Sequence, residues 1–410
     1  MAVRSSMHQV GGVLLENVLA ADDGYRGHQI DCGNGHRATF VDYRSKTLQT
    51  VLSTVKLRRA YYHCEDCEQG LIPMDRELDV VSTSFSPGVR RLMGRVGSKE
   101  PFEEGRQDLE VLAGIVVHTK EVERVSERLG EQVEEFTRQE RRLALAGKIV
   151  LVKPLPKLFY IAIDGTGVPM VPRETQGRPG KDNSAMAKTR EAKLGCVFTQ
   201  SRVDEEGFPV RDPNSTTYVG AIETAEEFGQ RIFTEAIRRG LRCAEQVIVI
   251  GDGAPWIWTL AAEHFPGATE IVDLYHARQH VSNLAKIVRD SPQAKSWAQA
   301  RIQQLDAGDI EGLLATIARL RPKSHIVKDE LRKATTYFQT NMERMRYLSF
   351  RNKGLFIGSG VVEAGCKTII GRRLKQSGMR WTVRGANAII ALRCCHLSGR
   401  WEPFWEARCA

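Results

Sequence analysis

Two stretches decide the fold: Leu-Phe-Tyr-Ile-Ala-Ile-Asp-Gly-Thr-Gly at residues 158–167 and Val-Ile-Val-Ile-Gly-Asp-Gly at residues 247–253. Each is a short apolar run bounded by glycine, which is the pattern of a buried strand. Asp164 ends the first run and Asp252 ends the second. We therefore predict that both carboxylates lie at the C-terminal edge of one sheet, where open α/β sheets bind their ligands.

The flanking sequence extends the same alternation. We predict further strands over Leu194 to Gln200, Thr217 to Ile222 and Glu270 to Val272, and a helix over Ala225 to Arg239. Strands interleaved with helices indicate an α/β sheet with some parallel pairing. Residues 274–350 are polar with helical spacing and predict a helical insertion.

The N-terminal part differs in pattern from this core. Residues 1–83 contain β-type runs, such as Ala38 to Tyr43 and Val55 to Tyr62, and are predicted to form a β-rich module. Residues 84–152 have helical spacing, with a helix starting at Pro87 and a buried face of apolar residues at three- and four-residue steps. The positions expected on that face are Leu109, Leu112, Val122, Val125 and Leu129. The prolines of Lys153 to Lys157 indicate a linker, because proline disrupts helices and central strands.

Composition narrows the class of protein. A chain of 410 residues is long enough for two or three domains, and its 42% hydrophobic and 27% charged residues are typical of a folded protein. The net charge of +9 favours a polyanionic partner without deciding it. No apolar run reaches the ~18 residues of a membrane span, and no secretory signal is recognisable. The nine scattered cysteines indicate a reducing compartment, so we predict a cytoplasmic protein that does not enter membranes.

A third acid, Glu363, lies in Gly358-Ser-Gly-Val-Val-Glu-Ala-Gly-Cys, a predicted helix start whose other residues are small or apolar. A lone charge in such surroundings needs a partner. Carboxylate oxygens suit Mg²⁺ or Mn²⁺, and two such ions can support phosphoryl displacement. Either aspartate alone is more simply explained as a helix cap or turn residue. The three acids together, Asp164, Asp252 and Glu363, favour a metal site.

Asp273 and His276 follow the last predicted strand and are three residues apart. Asp273 could cap the next helix, with His276 an ordinary surface residue. The pair could equally orient a substrate phosphate or support the metal ligands. The sequence leaves these two interpretations open.

A second kind of metal site is predicted near the N-terminus. Cys64 and Cys67 have the two-residue gap of a zinc knuckle, and Cys32 with His36 would complete a tetrahedral structural zinc site. His63 is a competing ligand. The alternative is that these cysteines are small core residues.

Basic residues suggest where DNA would bind. A group follows Glu363 with an interleaved tryptophan, a composition suited to phosphate contact and base stacking, and a smaller group precedes residue 194. The predicted DNA-binding residues are Lys188, Arg190, Lys193, Lys367, Arg372, Arg373, Lys375, Arg380, Trp381 and Arg384. A helix-turn-helix within residues 84–152 is possible, although its glutamates favour plain helical packing. Trp256 and Trp258 could stack on a base or pack in the core.

The ordered motifs Asp-Gly-Thr-Gly-Val-Pro, Gly-Asp-Gly-Ala-Pro-Trp-Ile-Trp, Asp-Leu-Tyr-His and Gly-Ser-Gly-x-Val-Glu resemble those of the Kra group of bacterial insertion-sequence transposases, distant relatives of Mutator-type DDE transposases. The resemblance extends to Tyr-Tyr-His-Cys-x-x-Cys at residues 61–67 and covers nearly the whole chain. It implies a ribonuclease H-like catalytic domain over residues 153–410, with a helical insertion at about 281–350. Asp164, Asp252 and Glu363 would be the catalytic acids, and Asp273 and His276 accessory residues.

The resemblance implies an enzyme that nicks transposon ends and joins them to target DNA, using two Mg²⁺ or Mn²⁺ ions and acting on double-stranded DNA as a homodimer or larger assembly. Two alternatives remain. One is a catalytically silent DNA-binding regulator derived from a transposase, although none of the three acids is lost. The other is a structure-specific nuclease on the same core, which would cut strands without joining them. A nucleotide-binding site is disfavoured, since the phosphate-binding Gly-x-x-x-x-Gly-Lys motif is missing.

Overall fold

The computed structural model describes residues 2–148, 157–180, 186–290, 292–321 and 324–409. The chain divides into two compact units, Met1–Leu129 with Pro403–Ala410, and Gly130–Glu402. Except for Lys157, the predicted linker Lys153 to Lys157 lies outside the described residues. The boundaries of the three predicted domains remain predictions.

The first unit contains a four-stranded antiparallel sheet. Its strands, in spatial and chain order, are β1 (Gln29–Asp31), β2 (Arg37–Gln49), β3 (Thr54–Cys64) and β4 (Gln69–Leu71). The β-rich prediction is confirmed for this sheet, and the two runs proposed as strands form the cores of β2 and β3. The register shifts by one residue between Phe40 and Asp42, opposite Tyr61 and Tyr62. Such a bulge increases the local twist of a long hairpin.

Helix α1 (Ala2–Ala20) precedes this sheet and was missed in the sequence. Two consecutive glycines, Gly11 and Gly12, lower the helix propensity at its centre. They have a packing role, because a Cβ on Gly12 would lie 1.8 Å from the hydroxyl of Ser53. Leu15 and Leu19 pack against a buried apolar cluster of β2 and β3. Tertiary contact thus outweighs local propensity here.

The next helices of the first unit along the chain are α2 (Pro73–Glu77), α3 (Pro87–Lys99), α4 (Phe102–Asp108) and α5 (Thr119–Leu145), whose later part belongs to the second unit. The helix predicted to start at Pro87 is confirmed. A π-helical turn, Leu109–Ala113, follows α4 and ends at Gly114, which has a φ of +70°. This turn rotates Leu112 outward, to 71% exposure, so its placement on the buried face was wrong. Leu109, Val122 and Leu129 are buried as predicted.

The second unit contains a six-stranded mixed sheet. Its strands are β5 (Leu158–Pro169), β6 (Thr189–Val203), β7 (Pro209–Arg211), β8 (Thr217–Ala221), β9 (Gln246–Gly251) and β10 (Thr269–Val272). The spatial order is β10-β9-β5-β6, with both β7 and β8 paired to β6. β5 is antiparallel to β6 and parallel to β9, and β9 is parallel to β10. The predicted α/β character is confirmed, with both kinds of pairing.

Helices surround this sheet. α6 (Ala225–Arg238) and α7 (Pro255–His264) lie between the later strands in the chain. The helical segment expected after residue 274 is present, and no strand occurs among its described residues. It comprises α8 (Leu274–Val288), α9 (Gln293–Asp306), α10 (Ile310–Ala318), α11 (His325–Thr340) and α12 (Tyr347–Asn352). The chain ends in α13 (Gly360–Gly365), α14 (Arg372–Leu374), α15 (Val383–Leu397) and α16 (Trp401–Cys409), and from Pro403 onward α16 belongs to the first unit.

Among the described helices, none combines the length and the apolar character that crossing a membrane requires.

Candidate active site

Asp164 lies inside β5 rather than at its end. The strand continues to Pro169 because its antiparallel neighbour β6 pairs with it as far as Thr189. The prediction that Asp164 ends the strand was therefore wrong. On the other side, β9 pairs with β5 only as far as Ala162, opposite Ile250. Asp164 is therefore two residues beyond Ala162, the last residue of β5 that pairs with β9. Among the described strands, none pairs with this part of β5 on the β9 side.

Asp252 comes two residues after Ile250, directly after the end of β9. Extending the register of β5 and β9 by two residues on each strand brings Asp252 level with Asp164. Its Oδ1 accepts a hydrogen bond of 2.9 Å from the amide of Ala254, which fixes the turn into α7. Gly253 takes a φ of +97°, and its missing Cβ leaves room for the ring of Tyr337. The Tyr337 hydroxyl donates to the carbonyl of Asp252 over 3.1 Å.

Glu363 projects from the first turns of the short helix α13. The Ser359 hydroxyl donates to Oε1 of Glu363 over 3.1 Å, and the Glu363 amide donates to the Ser359 carbonyl over 2.9 Å. The ammonium group of Lys367 lies 3.9 Å from Oε2. Glu363 is half-buried, so its carboxylate is held in place and still reachable by solvent.

A cleft of about 390 Å³ opens between these elements. Asp164, Glu363 and His276 all line it, together with Lys367 and Lys375. Burial raises the pKa of Asp164, and the nearby negative charge of Asp252 adds to that effect, although hydrogen bonds from the Cys366 thiol and the Gly165 amide oppose it. A negative charge at Asp164 is therefore unfavourable unless a cation is close.

Asp273 is fully buried and connects three segments around the cleft. It is the N-cap of α8, where Oδ1 accepts from the amide of His276 over 2.7 Å. Oδ2 accepts from the amide of Ser359, the residue that also binds Glu363. Burial opposes its ionisation, but these contacts outweigh burial and the pKa of Asp273 is lowered. The capping interpretation is therefore correct for Asp273, and the cap also positions the segment that holds Glu363.

His276 is not an ordinary surface residue, because it lines the cleft and its ring contacts Asp273. Its Nδ1 lies 3.3 Å from Oδ1 of Asp273. This carboxylate raises the pKa of His276 to about 9 despite partial burial, and the charges of Asp252 and Asp164 contribute further. His276 thus adds a positive charge to a cleft that contains carboxylates.

The three acids do not meet at one point. Among the described residues of this unit, the group whose donor atoms all lie within 4.8 Å of one another consists of Asp273, His276 and Glu363. Asp164 and Asp252 are outside this group, although their charges act on His276 and on each other. The oxygen donors of the three acids match a hard divalent cation, so the residues present fit Mg²⁺ or Mn²⁺.

The predicted DNA-binding residues divide by exposure. Seven are exposed or half-exposed and remain candidates: Lys188, Arg190, Lys367, Arg372, Lys375, Arg380 and Arg384. Lys193, Arg373 and Trp381 are buried, so they cannot present a surface to a phosphate or base, and their assignment was wrong. Lys193 donates to the Glu223 carbonyl, and the Trp381 indole donates to the Leu374 carbonyl.

Both tryptophans after Asp252 pack against protein. Trp258 is buried, with the Arg344 guanidinium 4.7 Å from its ring centroid. Trp256 is half-buried, contacts Phe228 edge-on and lies under the ammonium group of Lys193 at 5.3 Å. The core interpretation is correct for Trp258, and Trp256 also packs against its neighbours.

In the first unit, the predicted knuckles come together at one end of the sheet. Cys32, His36, Cys64 and Cys67 offer donor atoms that all lie within 4.8 Å of one another, so the four could hold a zinc ion. The sulfurs of Cys32 and Cys67 are 3.8 Å apart, and Nδ1 of His36 is 3.2 Å from the Cys67 sulfur. The competing ligand His63 is not in this group.

Comparison with known proteins finds similarity to a family model, to a bacterial protein and to a solved structure. A model of an uncharacterised protein family, UPF0236, matches residues 231–404, a range that includes Asp252, Asp273, His276 and Glu363. A "UPF0236 protein in vanSb 3'region" from Streptococcus gallolyticus is 22% identical over 398 residues, covering 96% of this chain and 79% of that protein. A solved Drosophila P element transposase strand transfer complex aligns with a TM-score of 0.24 and 10% identity, over 78% of this chain and 80% of that one. A TM-score this low does not establish a common fold.

Several residues that line the cleft were not predicted from the sequence, namely Thr166, Tyr275, Gln279 and Cys366, and neither was Ser359, which donates to Glu363. Ser359 had a signal, since a serine four residues before a glutamate on a helix start can reach it. Thr166 had none, because its position depends on the extension of β5 along β6. Its hydroxyl accepts a hydrogen bond from the Lys375 ammonium group.

Proposed function

We propose that this chain is a DNA transposase of the DDE type, which cleaves transposon ends and joins them to target DNA with a metal-binding acidic triad. The observation that carries the proposal is the level placement of Asp164 in β5 and of Asp252 directly after the adjacent parallel strand β9, with Asp164 lining a cleft that Glu363 also lines. Carboxylates supplied by two adjacent strands and one helix suit divalent-cation catalysis of phosphoryl transfer.

The sheet supports a ribonuclease H-like core. Setting aside the short hairpin strand β7, the strands occur in the spatial order third, second, first, fourth, fifth. The first three are antiparallel and the last two are parallel to the first. This order puts the first and fourth strands, which carry Asp164 and Asp252, side by side, and the helical segment separates the fifth strand from the helix of Glu363.

The proposed roles follow from the contacts. Asp164, Asp252 and Glu363 would hold Mg²⁺ or Mn²⁺, and the metal would activate the attacking hydroxyl and stabilise the leaving oxygen. Asp273 positions Glu363 through Ser359, and His276 supplies a positive charge beside the carboxylates. Lys367 and Lys375 line the cleft with exposed ammonium groups, where DNA phosphates would approach. Two DNA ends would require at least a homodimer.

The Cys32, His36, Cys64 and Cys67 cluster is proposed as a structural zinc site. It joins the turn between β1 and β2 to the turn between β3 and β4, so a bound ion would hold these two turns together at one end of the sheet.

The test is an assay of cleavage and strand transfer on labelled duplex that carries the ends of the element. We expect nicking and joining that depend on Mg²⁺ or Mn²⁺ and disappear with chelator. Cleavage without joining would favour the structure-specific nuclease. Tight DNA binding with no cleavage in any metal would favour the silent regulator.

A further inference from the structure

A second cavity, of about 670 Å³, lies beside the proposed catalytic cleft. The two share Tyr275, which lines both. The volume falls in the range of roughly 300–1,000 Å³ that is usual for small-molecule sites. Its floor is apolar, because Leu274 and Leu355 are buried beneath it and Phe356 packs on the rings of Tyr160 and Phe198.

Two aromatic rings at this cavity are unusually exposed. Phe208 is 63% exposed and Tyr275 is 62% exposed, although both line the cavity. Phe208 is held by the turn between β6 and β7, where its amide donates to Oδ1 of Asp204 over 2.7 Å and its carbonyl accepts from the Asp204 amide over 2.9 Å. The Tyr275 ring lies against Gly358, where a Cβ would come within 3.0 Å of it. The Phe208 ring is therefore presented by a hydrogen-bonded turn, and the Tyr275 ring by its contact with Gly358.

The polar lining is mixed in charge. Arg278 and Arg351 line the cavity, and both are ordered by Asp306: Arg278 donates to the two carboxylate oxygens over 3.0 and 2.6 Å, and Arg351 donates to the carbonyl over 2.7 Å. Glu206 is the carboxylate of the lining. Guanidinium groups bind phosphate, and a carboxylate can accept from the amino group of a base.

We propose that this cavity binds an unpaired nucleotide of the DNA strand being processed, with its base against Phe208 and Tyr275 and its phosphate near Arg278 and Arg351. Exposed aromatic rings with adjacent arginines are the means by which proteins hold single-stranded bases. Because Tyr275 lines both spaces, a strand crossing the cleft can place the next base in the cavity. This inference rests on the proposed function for the identity of the strand.

The test compares binding of a short single-stranded oligothymidylate with that of an oligomer of equal length whose bases are replaced by abasic sites, measured by fluorescence anisotropy. Both carry the same number of phosphates. We expect the wild type to bind the base-containing oligomer at least about 5-fold more tightly, since stacking on an aromatic side chain contributes at least that factor per base. We expect Phe208→Ala to remove most of this preference and Phe208→Trp to retain it.

Ile326→Ala is the matched control, because Ile326 is also strongly exposed and lies on α11, outside the cavity lining. It should leave the preference unchanged. Equal affinities of the wild type for the two oligomers, or a preference that survives in Phe208→Ala, would overturn the proposal. So would a free deoxynucleoside triphosphate that binds in a Phe208-dependent way more tightly than the oligonucleotide.

The experiments distinguish failure of the transposase proposal from failure of the cavity proposal. If the wild type does not cleave DNA but shows a Phe208-dependent preference for bases, the cavity stands and the transposase proposal falls. If it cleaves DNA and lacks that preference, the reverse holds. Asp164→Asn should lose cleavage and keep the preference, because Asp164 does not line the second cavity.

Discussion

The two proposed metal sites differ in how closely their donors are gathered. In the first unit, four Cys and His donor atoms lie within 4.8 Å of one another, whereas in the second unit Asp164, Asp252 and Glu363 do not form such a group. Thiols and singly protonated imidazole are neutral and can hydrogen-bond to one another, so they approach without a metal. Carboxylates repel each other, and burial makes this worse, as the raised pKa of Asp164 shows. Removing a donor from the acidic site should therefore stabilise the fold, whereas removing one from the Cys/His cluster should destabilise it.

The largest effect is expected for Asp164→Asn and Asp252→Asn. Each should reduce cleavage by about 10³-fold or more, since a metal ligand contributes several kcal/mol of transition-state stabilisation. Because Asp164 is destabilised by burial and by Asp252, Asp164→Asn should also raise the free energy of unfolding. Cleavage assays and denaturant unfolding measure the two effects. Asp290→Asn, at an exposed aspartate after α8, should change neither. Full cleavage by either site variant would remove that residue from the triad.

The next largest effect is expected in the Cys/His cluster, where loss of a ligand should lower the free energy of unfolding. Cys64→Ser should lose zinc and unfold the small sheet, because the binding free energy of a structural zinc ion, about 10 kcal/mol or more, is folding free energy. Metal content by mass spectrometry and limited proteolysis measure the two effects. Cys243→Ser, at a half-buried cysteine of the second unit, should keep the zinc. Unchanged metal content in Cys64→Ser would leave the four residues as core cysteines and a surface histidine.

Asp273→Asn should have a smaller effect, a loss of stability in the segments that hold the acidic site. Asp273 accepts from two backbone amides, of His276 and Ser359, on different oxygens, and an asparagine would direct an NH₂ group at one of them. Leaving a buried donor without an acceptor costs about 1–3 kcal/mol. The pKa of His276, now about 9, should fall towards its ordinary value when the carboxylate is lost, which NMR titration would detect.

Asp309→Asn is the matched control for that variant. Asp309 also caps a helix, α10, and accepts from the Gly312 amide over 2.9 Å, but it is exposed. Asparagine is as good an N-cap as aspartate in water, so little stability should be lost. If both variants lose the same stability, the buried contact with Ser359 does not matter, and Asp273 is only a cap.

The sequence predicts the parts of this site that depend on local pattern. The apolar run before Asp252 and the Cys-x-x-Cys spacing are both local patterns. The first predicts that Asp252 follows a buried strand, and the second that Cys64 and Cys67 lie together, as the structure shows. The position of Asp164 within β5 was mispredicted because the length of β5 is set by its pairing with the next strand, β6, and not by its own apolar run. The burial of Lys193, Arg373 and Trp381 is likewise a consequence of tertiary packing, since a basic run has the same sequence pattern on a surface and against a core.

The smallest effect is expected at the basic rim of the cleft. It tests whether the acidic site, rather than another surface, faces the DNA backbone. Lys375 is exposed, lines the cleft and donates to Thr166, two residues after Asp164 in β5. If it contacts one phosphate, Lys375→Ala should weaken DNA binding a few-fold and reduce the slope of log affinity against log salt by about 0.9. Lys333→Ala, at an exposed lysine paired with Glu330 on α11, should leave the slope unchanged. An unchanged slope in Lys375→Ala as well would place the DNA backbone away from this rim. The triad would then face a substrate held by other cations, and the exposed Lys188, Arg372 and Arg380 would be the next to test by the same measurement.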